Sequence, residues 1–185
     1  RVVKQPFPSM PLKFWGDDSG EKYHKAYFTR FNNIWHHGDF IERTINNGFI
    51  MRGRSDATLN PGGVRIGTSE IYQQVENIDF ITEGLVVGQD YNDDVRIILF
   101  VTTKDNKKLD EEKIKLIKGK IKKNCSPKHV PSMIIKVPEI PRTKSGKIVE
   151  LAVRKVINGE KLNNIEAIAN PKSLDFFKNL DQIKS

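Results

Sequence analysis

Two apolar runs split by a polar turn constrain this chain more than anything else in it. Gly84-Leu-Val-Val-Gly88 and Val95-Arg-Ile-Ile-Leu-Phe-Val101 lie on either side of Asp90-Tyr-Asn-Asp-Asp94. Short runs rich in β-branched residues and bounded by turn formers predict strands over 85–89 and 95–102, joined as a hairpin. They also argue against a disordered chain, although hydrophobic residues make up only 37% of the 185. No apolar stretch approaches the length of a membrane span.

Other elements follow from local signals. Residues 1–22 are rich in Pro, Gly and Asp and read as loop. The aromatic and β-branched content of 23–41 predicts strands. Asn46-Asn-Gly48 supplies a tight turn before a strand over 49–52. A further hairpin is expected over 57–60 and 64–66, around Pro61-Gly-Gly63. Thr68 is positioned to cap a helix reaching about residue 76, with Glu70 near its positive end. Asp110, followed by Glu111 and Glu112, opens another helix whose Ile114, Ile117 and Ile121 form one apolar stripe. Ser126-Pro127 stops it. A short strand over 132–137, a helix marked by Val149, Val153 and Val156 that ends at Asn158-Gly159, and a last short helix over 173–180 complete the series. Strand pairs interspersed with helices, without βαβ repetition, give an α+β fold.

Charge is unevenly placed. The chain carries a formal +8, yet residues 104–161 alone hold 17 Lys or Arg against 7 Asp or Glu. Such a segment attracts polyanions. It contains no Phe, Tyr or Trp. A single-strand nucleic-acid surface would interleave aromatics for base stacking. A phosphate-rich small molecule needs cations alone, and a solvated helix face needs neither. One Cys excludes a disulfide scaffold and fits a reducing, cytoplasmic setting. Beginning at Arg1, with no initiator Met and no signal-peptide pattern, the chain reads as a piece of a longer polypeptide.

Several familiar chemistries are missing. Ile148 follows Lys147, so Ser145-Gly-Lys147 is not a Walker A loop with its magnesium-binding hydroxyl. Gly62-Gly63-Val-Arg-Ile-Gly67 does not fit dinucleotide spacing. The four His and Cys125 make no zinc pattern, and no metal ligands are expected. What remains are glycine-flanked charged loops. A carboxylate at Gly38-Asp39, taken to end a strand, can accept hydrogen bonds from a vicinal diol. Arg54 in Gly53-Arg-Ser-Asp56 can pair with phosphate while Asp56 caps the turn. Pro61-Gly-Gly-Val-Arg65 sets a bare backbone beside a cation. Pro141-Arg-Thr-Lys-Ser-Gly-Lys147 is expected to be a mobile cationic loop.

Taken in order, Trp35-His-His-Gly-Asp39, the stretch Gly53-Arg-Ser-Asp-Ala-Thr-Leu-Asn-Pro-Gly-Gly-Val-Arg-Ile-Gly-Thr-Ser-Glu-Ile71 and Pro141-Arg-Thr-Lys-Ser-Gly-Lys147 resemble the C-terminal part of the adenylate-forming acyl-CoA synthetases. Ser126-Pro-Lys-His-Val-Pro131 and Ala169-Asn-Pro-Lys-Ser-Leu174 resemble the branch that activates acetoacetate. Trp-His-His stands where the common family pattern has Tyr-x-Thr. The resemblance covers about residues 6–180.

The resemblance implies a fold and a set of roles. Residues 1–52 would be a β-rich last part of the N-terminal adenylation domain, 53–56 a hinge, and 57–185 the small mobile C-terminal domain, with a β-hairpin and a mixed three-stranded sheet flanked by helices. The reaction would join acetoacetate to CoA at the expense of ATP, carried as its Mg2+ complex, through an acyl-adenylate and without a tightly bound cofactor. Asp39 would bind ribose hydroxyls and Arg54 the nearby ribose and phosphate. Asp56 would be the hinge residue, Gly63 would line the pantetheine channel, Arg65 would meet phosphate, and Lys122 would face the CoA 3′-phosphate. Lys147 would be the catalytic lysine of adenylate formation. The chain's main partner would be the rest of its own polypeptide, with no nucleic acid involved and no membrane span. Two other readings stand beside this one: a ligase of the same superfamily for another short carboxylic acid, and a basic nucleic-acid-binding or non-catalytic interaction module.

Overall fold

A computed structural model describes residues 2–162, 165–178 and 180–183. The chain divides into two compact units, Arg1–Ser55 and Asp56–Ser185.

In the first unit, strand β1 (Val2–Val3) pairs antiparallel with β2 (Trp35–His36), and β3 (Asp39–Arg43) pairs with β4 (Phe49–Arg54). The strands expected from residue 23 onward are partly wrong, because Glu21–Tyr27 is helix α1. The reason is local. Both oxygens of the Asp17 carboxylate accept first-turn amides, from Lys22 at 3.1 Å and Tyr23 at 2.8 Å, which satisfies donors that a helix start otherwise leaves orphaned. Tyr23 and Tyr27, four residues apart, then lie on one helix face. Tyr27 stacks on Trp35 with ring centroids 3.8 Å apart, and Tyr23 meets the same indole edge-on. The β3–β4 turn is as expected: Asn47 has φ of 59°, and Gly48 N–H donates to Thr44 Oγ1 at 3.0 Å. Strand β4 runs two residues further than expected. The ribbon leaves Phe49, Ile50 and Met51 exposed.

The second unit is built on a mixed three-stranded sheet. Strands β5 (Ile81–Tyr91) and β6 (Asp94–Thr103) are antiparallel, in register from Ile81↔Thr103 to Tyr91↔Asp94. Only Asn92 and Asp93 form the turn, both at positive φ. That geometry matches the twist of the flanking strands, so each strand runs longer than its apolar core suggested. Strand β7 (Met133–Lys136) lies parallel to β6 on its other side, Ile98↔Met133 through Val101↔Lys136. Parallel neighbours need a crossover, here helix α3 (Glu111–Asn124).

Both faces of this sheet are covered, which is why the runs are apolar without alternation. Val86, Leu99 and Ile134 pack against Ile71 and Val75 of helix α2 (Thr68–Val75) and against Ile117 and Ile121 of α3. Leu85, Ile98 and Phe100 pack on the opposite side against Val153 of helix α4 (Glu150–Ile157) and against Leu174 and Phe177.

Asp110 caps α3 as expected, its Oδ1 accepting Lys113 N–H at 3.0 Å. Three local expectations change. Gly67, not Thr68, is the residue before α2, and Glu70 Oε1 reaches back to accept its N–H at 3.2 Å. The hairpin around Pro61-Gly-Gly63 shrinks to one bridge, Leu59↔Ile66, above a 3-10 turn. The last helix is 3-10 over Pro171–Phe177; Asn179, within the expected 173–180, lies outside the described residues. Its start is set by the Asn170 carbonyl, which accepts both N–H and Oγ–H of Ser173. Among the described residues no helix is long and apolar enough to cross a membrane.

Candidate functional site

In the first unit Asp39 begins β3, rather than ending a strand, and sits opposite Arg54 in the ladder. Its carboxylate, 13% exposed, faces His37 Nδ1 on one side and Arg54 Nη1 at 3.8 Å on the other. Arg54 also donates to the His37 carbonyl at 3.4 Å. Gly38 between them has φ of 87°, and a Cβ there would lie 2.8 Å from Arg54 Nη2. Glycine is therefore required for the guanidinium to close over this turn. Ser55 N–H and Oγ–H both donate to the Gly38 carbonyl, at 2.8 and 2.9 Å. The result is a fixed carboxylate and a half-exposed guanidinium side by side, able to accept from a diol and to donate to phosphate. His37 is a member of this cluster that residue-by-residue reasoning missed; its signal is its place beside Gly38-Asp39.

In the second unit the 3-10 turn Pro61–Gly63 presents bare backbone to solvent. Gly62 and Gly63 both have positive φ, and the space beside Gly63 is open. The turn is held by Asp94, whose carboxylate accepts Gly62 N–H at 2.9 and 3.0 Å. Amides of Val95 and Gly62, and the nearby Lys128 charge, draw the Asp94 carboxyl below its usual range. Arg65 is exposed one residue before fully buried Ile66. Asp56 is exposed at the start of the unit.

Lys147 lies in a hydrogen-bonded turn. Arg142 and Ile148 form a β-bridge at its base, and Thr143 N–H donates to the Lys147 carbonyl at 2.8 Å. Gly146, at φ of 80°, turns the chain, and Lys147 N–H returns to Thr143 Oγ1 at 3.1 Å. Residues Lys144 to Lys147 are all exposed. A side chain at this position is thus anchored at its Cα and surrounded by solvent.

The lysines of α3 divide into two groups. Lys113, Lys118 and Lys120 use their ammonium groups on the carbonyls of Lys108, Ser132 and Asn77, at 2.8–3.0 Å. Lys115, and Lys122 and Lys123 in the last turn, are exposed. Cys125 is half-buried, with its thiol pushed up mainly by burial, and its Sγ lies against the Glu70 carbonyl. His129 instead bonds Ser126 Oγ and Glu70 Oε2, at 2.8 and 3.3 Å, so it is not arranged as a base for Cys125. Among the described residues no group of three or more His, Cys, Asp or Glu is placed to hold a metal ion.

One half-buried titratable pair had no local signal. Glu150, three residues beyond Lys147, accepts the phenol proton of Tyr72, whose oxygen accepts Val86 N–H at 3.0 Å. Burial raises the Glu150 carboxyl more than hydrogen bonds from Tyr72 and Thr68 lower it, and the Asp56 charge adds to the rise. A carboxyl with a raised folded-state pKa favours the folded chain below its unfolded value of 4.5. That contribution is lost as pH rises through the folded value. Glu150→Gln keeps an acceptor for Tyr72 and cannot ionise. It is expected to raise Tm modestly at pH 7, with the gain shrinking toward pH 4.5 in a series of thermal melts. A gain that grew on acidification would contradict this.

Asp39 and Arg54 are thus brought together in one unit, and Gly63 and Arg65 in one turn of the other, while Lys147 and Lys122 stand on separate elements of that second unit. Comparison with known proteins gives these clusters a context. No family model matches the chain. Over 184 residues, all of this chain, it is 56% identical to the acetoacetyl-coenzyme A synthetase of Rhizobium meliloti (strain 1021). It is 45% identical over 187 residues to the acetoacetyl-CoA synthetase of Danio rerio. The solved acetoacetyl-CoA synthetase of Streptomyces lividans superposes on the whole chain with a TM-score of 0.89 at 40% identity. The chain spans 28% of the length of each of these proteins. In sequence and in fold it belongs to the adenylate-forming acyl-CoA synthetases, matching the C-terminal region of their acetoacetyl-CoA synthetase branch.

Proposed function

We propose that this chain is the C-terminal part of an ATP-dependent acid–thiol ligase that converts acetoacetate and CoA to acetoacetyl-CoA, AMP and pyrophosphate. In the first step an acetoacetate oxygen attacks the α-phosphorus of ATP; the new O–P bond forms as the bond to pyrophosphate breaks. In the second, the CoA sulfur attacks the acyl carbonyl and AMP leaves. The observation that carries this reading is Lys147, exposed at the end of an ordered turn, in a chain 56% identical to a relative named for this product.

In this reading Lys147 is the catalytic cation of the first step. Asp39 takes the ribose hydroxyls and Arg54 the adjoining ribose–phosphate. Arg65 meets phosphate in the same step. Gly63 lines the path of the pantetheine arm, where its open flank leaves room for a thiol. Lys122 faces the 3′-phosphate of CoA. Residues 53–56 form the hinge, pivoting at Asp56 between the two half-reactions, and 57–185 form the mobile domain. Residues 1–52 belong to the adenylation domain; Phe49, Ile50 and Met51, exposed on a two-stranded ribbon, support the view that further strands cover them. ATP arrives as its Mg2+ complex, and no resident cofactor is needed. The enzyme works in the cytoplasm, and this chain without the rest of the polypeptide has no ligase activity.

The test is the full-length enzyme, offered acetoacetate, acetate and propionate with ATP. Pyrophosphate release is expected with acetoacetate before CoA is added, and multiple-turnover AMP release only afterwards. Equal rates with acetate would overturn the acyl assignment. No nucleotide turnover with any of the acids would overturn the ligase reading for them.

A further inference from the structure

The turn carrying Lys147 is gripped from two sides by side chains that no role above uses. Arg142 spans it. Its Nη1 donates to the Gly146 carbonyl at 2.6 Å, and its Nε donates to Glu83 Oε1 at 3.1 Å, with Nη2 on the same oxygen. Glu83 lies on β5, where the ladder with β6 shifts register, so the guanidinium ties the peptide just before Lys147 to the central sheet. Asn170 holds the other arm. Its Oδ1 accepts Arg142 N–H at 2.8 Å and its Nδ2 donates to the Ile140 carbonyl at 3.1 Å. The neighbouring tail runs along the turn as a strap: Ala169 N–H donates to Arg142 O, Lys144 N–H to Ala167 O, and Ile168, 7% exposed, bridges Thr143.

We propose that Arg142 and Asn170 are positioning residues for Lys147, setting where its ammonium stands during adenylate formation. This rests on Lys147 having the role proposed above. The physical argument is one of reach. Four rotatable side-chain bonds leave the ammonium free, so its average position follows the Cα, and the Cα follows the turn. A displacement near 1 Å at a reacting group can lower a rate about a hundredfold. The grip adds little to folding by comparison, because Arg142 and Glu83 are about a third exposed, where water screens such a pair.

Arg142→Lys keeps the charge but has no fork to join Gly146 and Glu83 at once. In the full-length enzyme it is expected to lower kcat for adenylate formation about tenfold, with little change in Tm. Thioester formation from preformed acyl-adenylate should keep its rate. Asn170→Ala should show the same split. Added to Lys147→Ala, Arg142→Lys should lower the residual adenylation rate no further, because a residue acting only through Lys147 has nothing left to position. Loss in both half-reactions, an unchanged adenylation rate, or a multiplicative loss in the double variant would each overturn the positioning role. Unimpaired adenylation by Lys147→Ala itself would instead overturn the reading on which it rests.

Discussion

Replacing Lys147 by Ala in the full-length enzyme is expected to cut adenylate formation about a thousandfold, to a small residual rate, while sparing thioester formation from preformed acyl-adenylate. The first step brings an anionic carboxylate onto an α-phosphate that is also anionic, and an ammonium between them relieves the repulsion. A unit charge pair at about 4 Å, with an effective dielectric near 20, is worth roughly 4 kcal/mol, about a thousandfold in rate. The second step has no such pair of anions at the reacting atoms, so it has no need of this cation. Exposure of the whole Lys144–Lys147 segment gives the side chain the access this role requires. Pyrophosphate release and single-turnover thioester formation separate the two steps, and equal loss in both would remove Lys147 from the mechanism.

The largest effect on stability is expected from Phe100→Ala. Phe100 is fully buried on the central strand, and its ring meets Phe177 edge-on with centroids 4.8 Å apart. Truncating a buried Phe costs about 3–5 kcal/mol, including the cavity left behind, and about 0.5–1.5 kcal/mol of that is specific to the aromatic pair. Domains commonly have only about 5–15 kcal/mol in hand. For a chain of this length each kcal/mol moves Tm by about 2–4 °C, so a fall of about 10 °C is expected in thermal unfolding of the 185-residue chain. Phe177→Ala should cost nearly as much, since it empties the same contact from the other side. A loss below about 1 kcal/mol in either would mean that this face of the sheet is not packed as described.

Much of the fold was legible because its signals are local. The β5–β6 hairpin was visible in two apolar runs and a polar turn, and α3 in Asp110 followed by isoleucines at helical spacing. Helix α1 was misread for a reason that is also local. Aromatic residues favour strands in general, but Tyr23 and Tyr27 are four apart, and Asp17 supplies the cap four residues before the helix starts at Glu21. The spacing and the carboxylate outweighed the composition. The functional reading came from the order of three glycine-flanked charged motifs, none of which is distinctive alone.

Contacts between distant residues left no such trace. Glu83 is an ordinary strand glutamate until Arg142, 59 positions away, folds against it. Asn170 reads as the residue before a proline, yet it closes the turn that bears Lys147. Glu150 reads as a charge at a helix start, and only folding, which brings it to Tyr72, 78 positions away, and takes it out of water, makes its carboxyl harder to ionise. Lys120, which bonds the Asn77 carbonyl 43 positions away, looks in the sequence the same as exposed Lys122 and Lys123. Periodicity, caps and turns act over a few residues and are written in the order of the letters. Desolvation and hydrogen bonding across the sheet depend on which segments chain folding makes neighbours, and for this protein those segments lie some thirty to eighty residues apart.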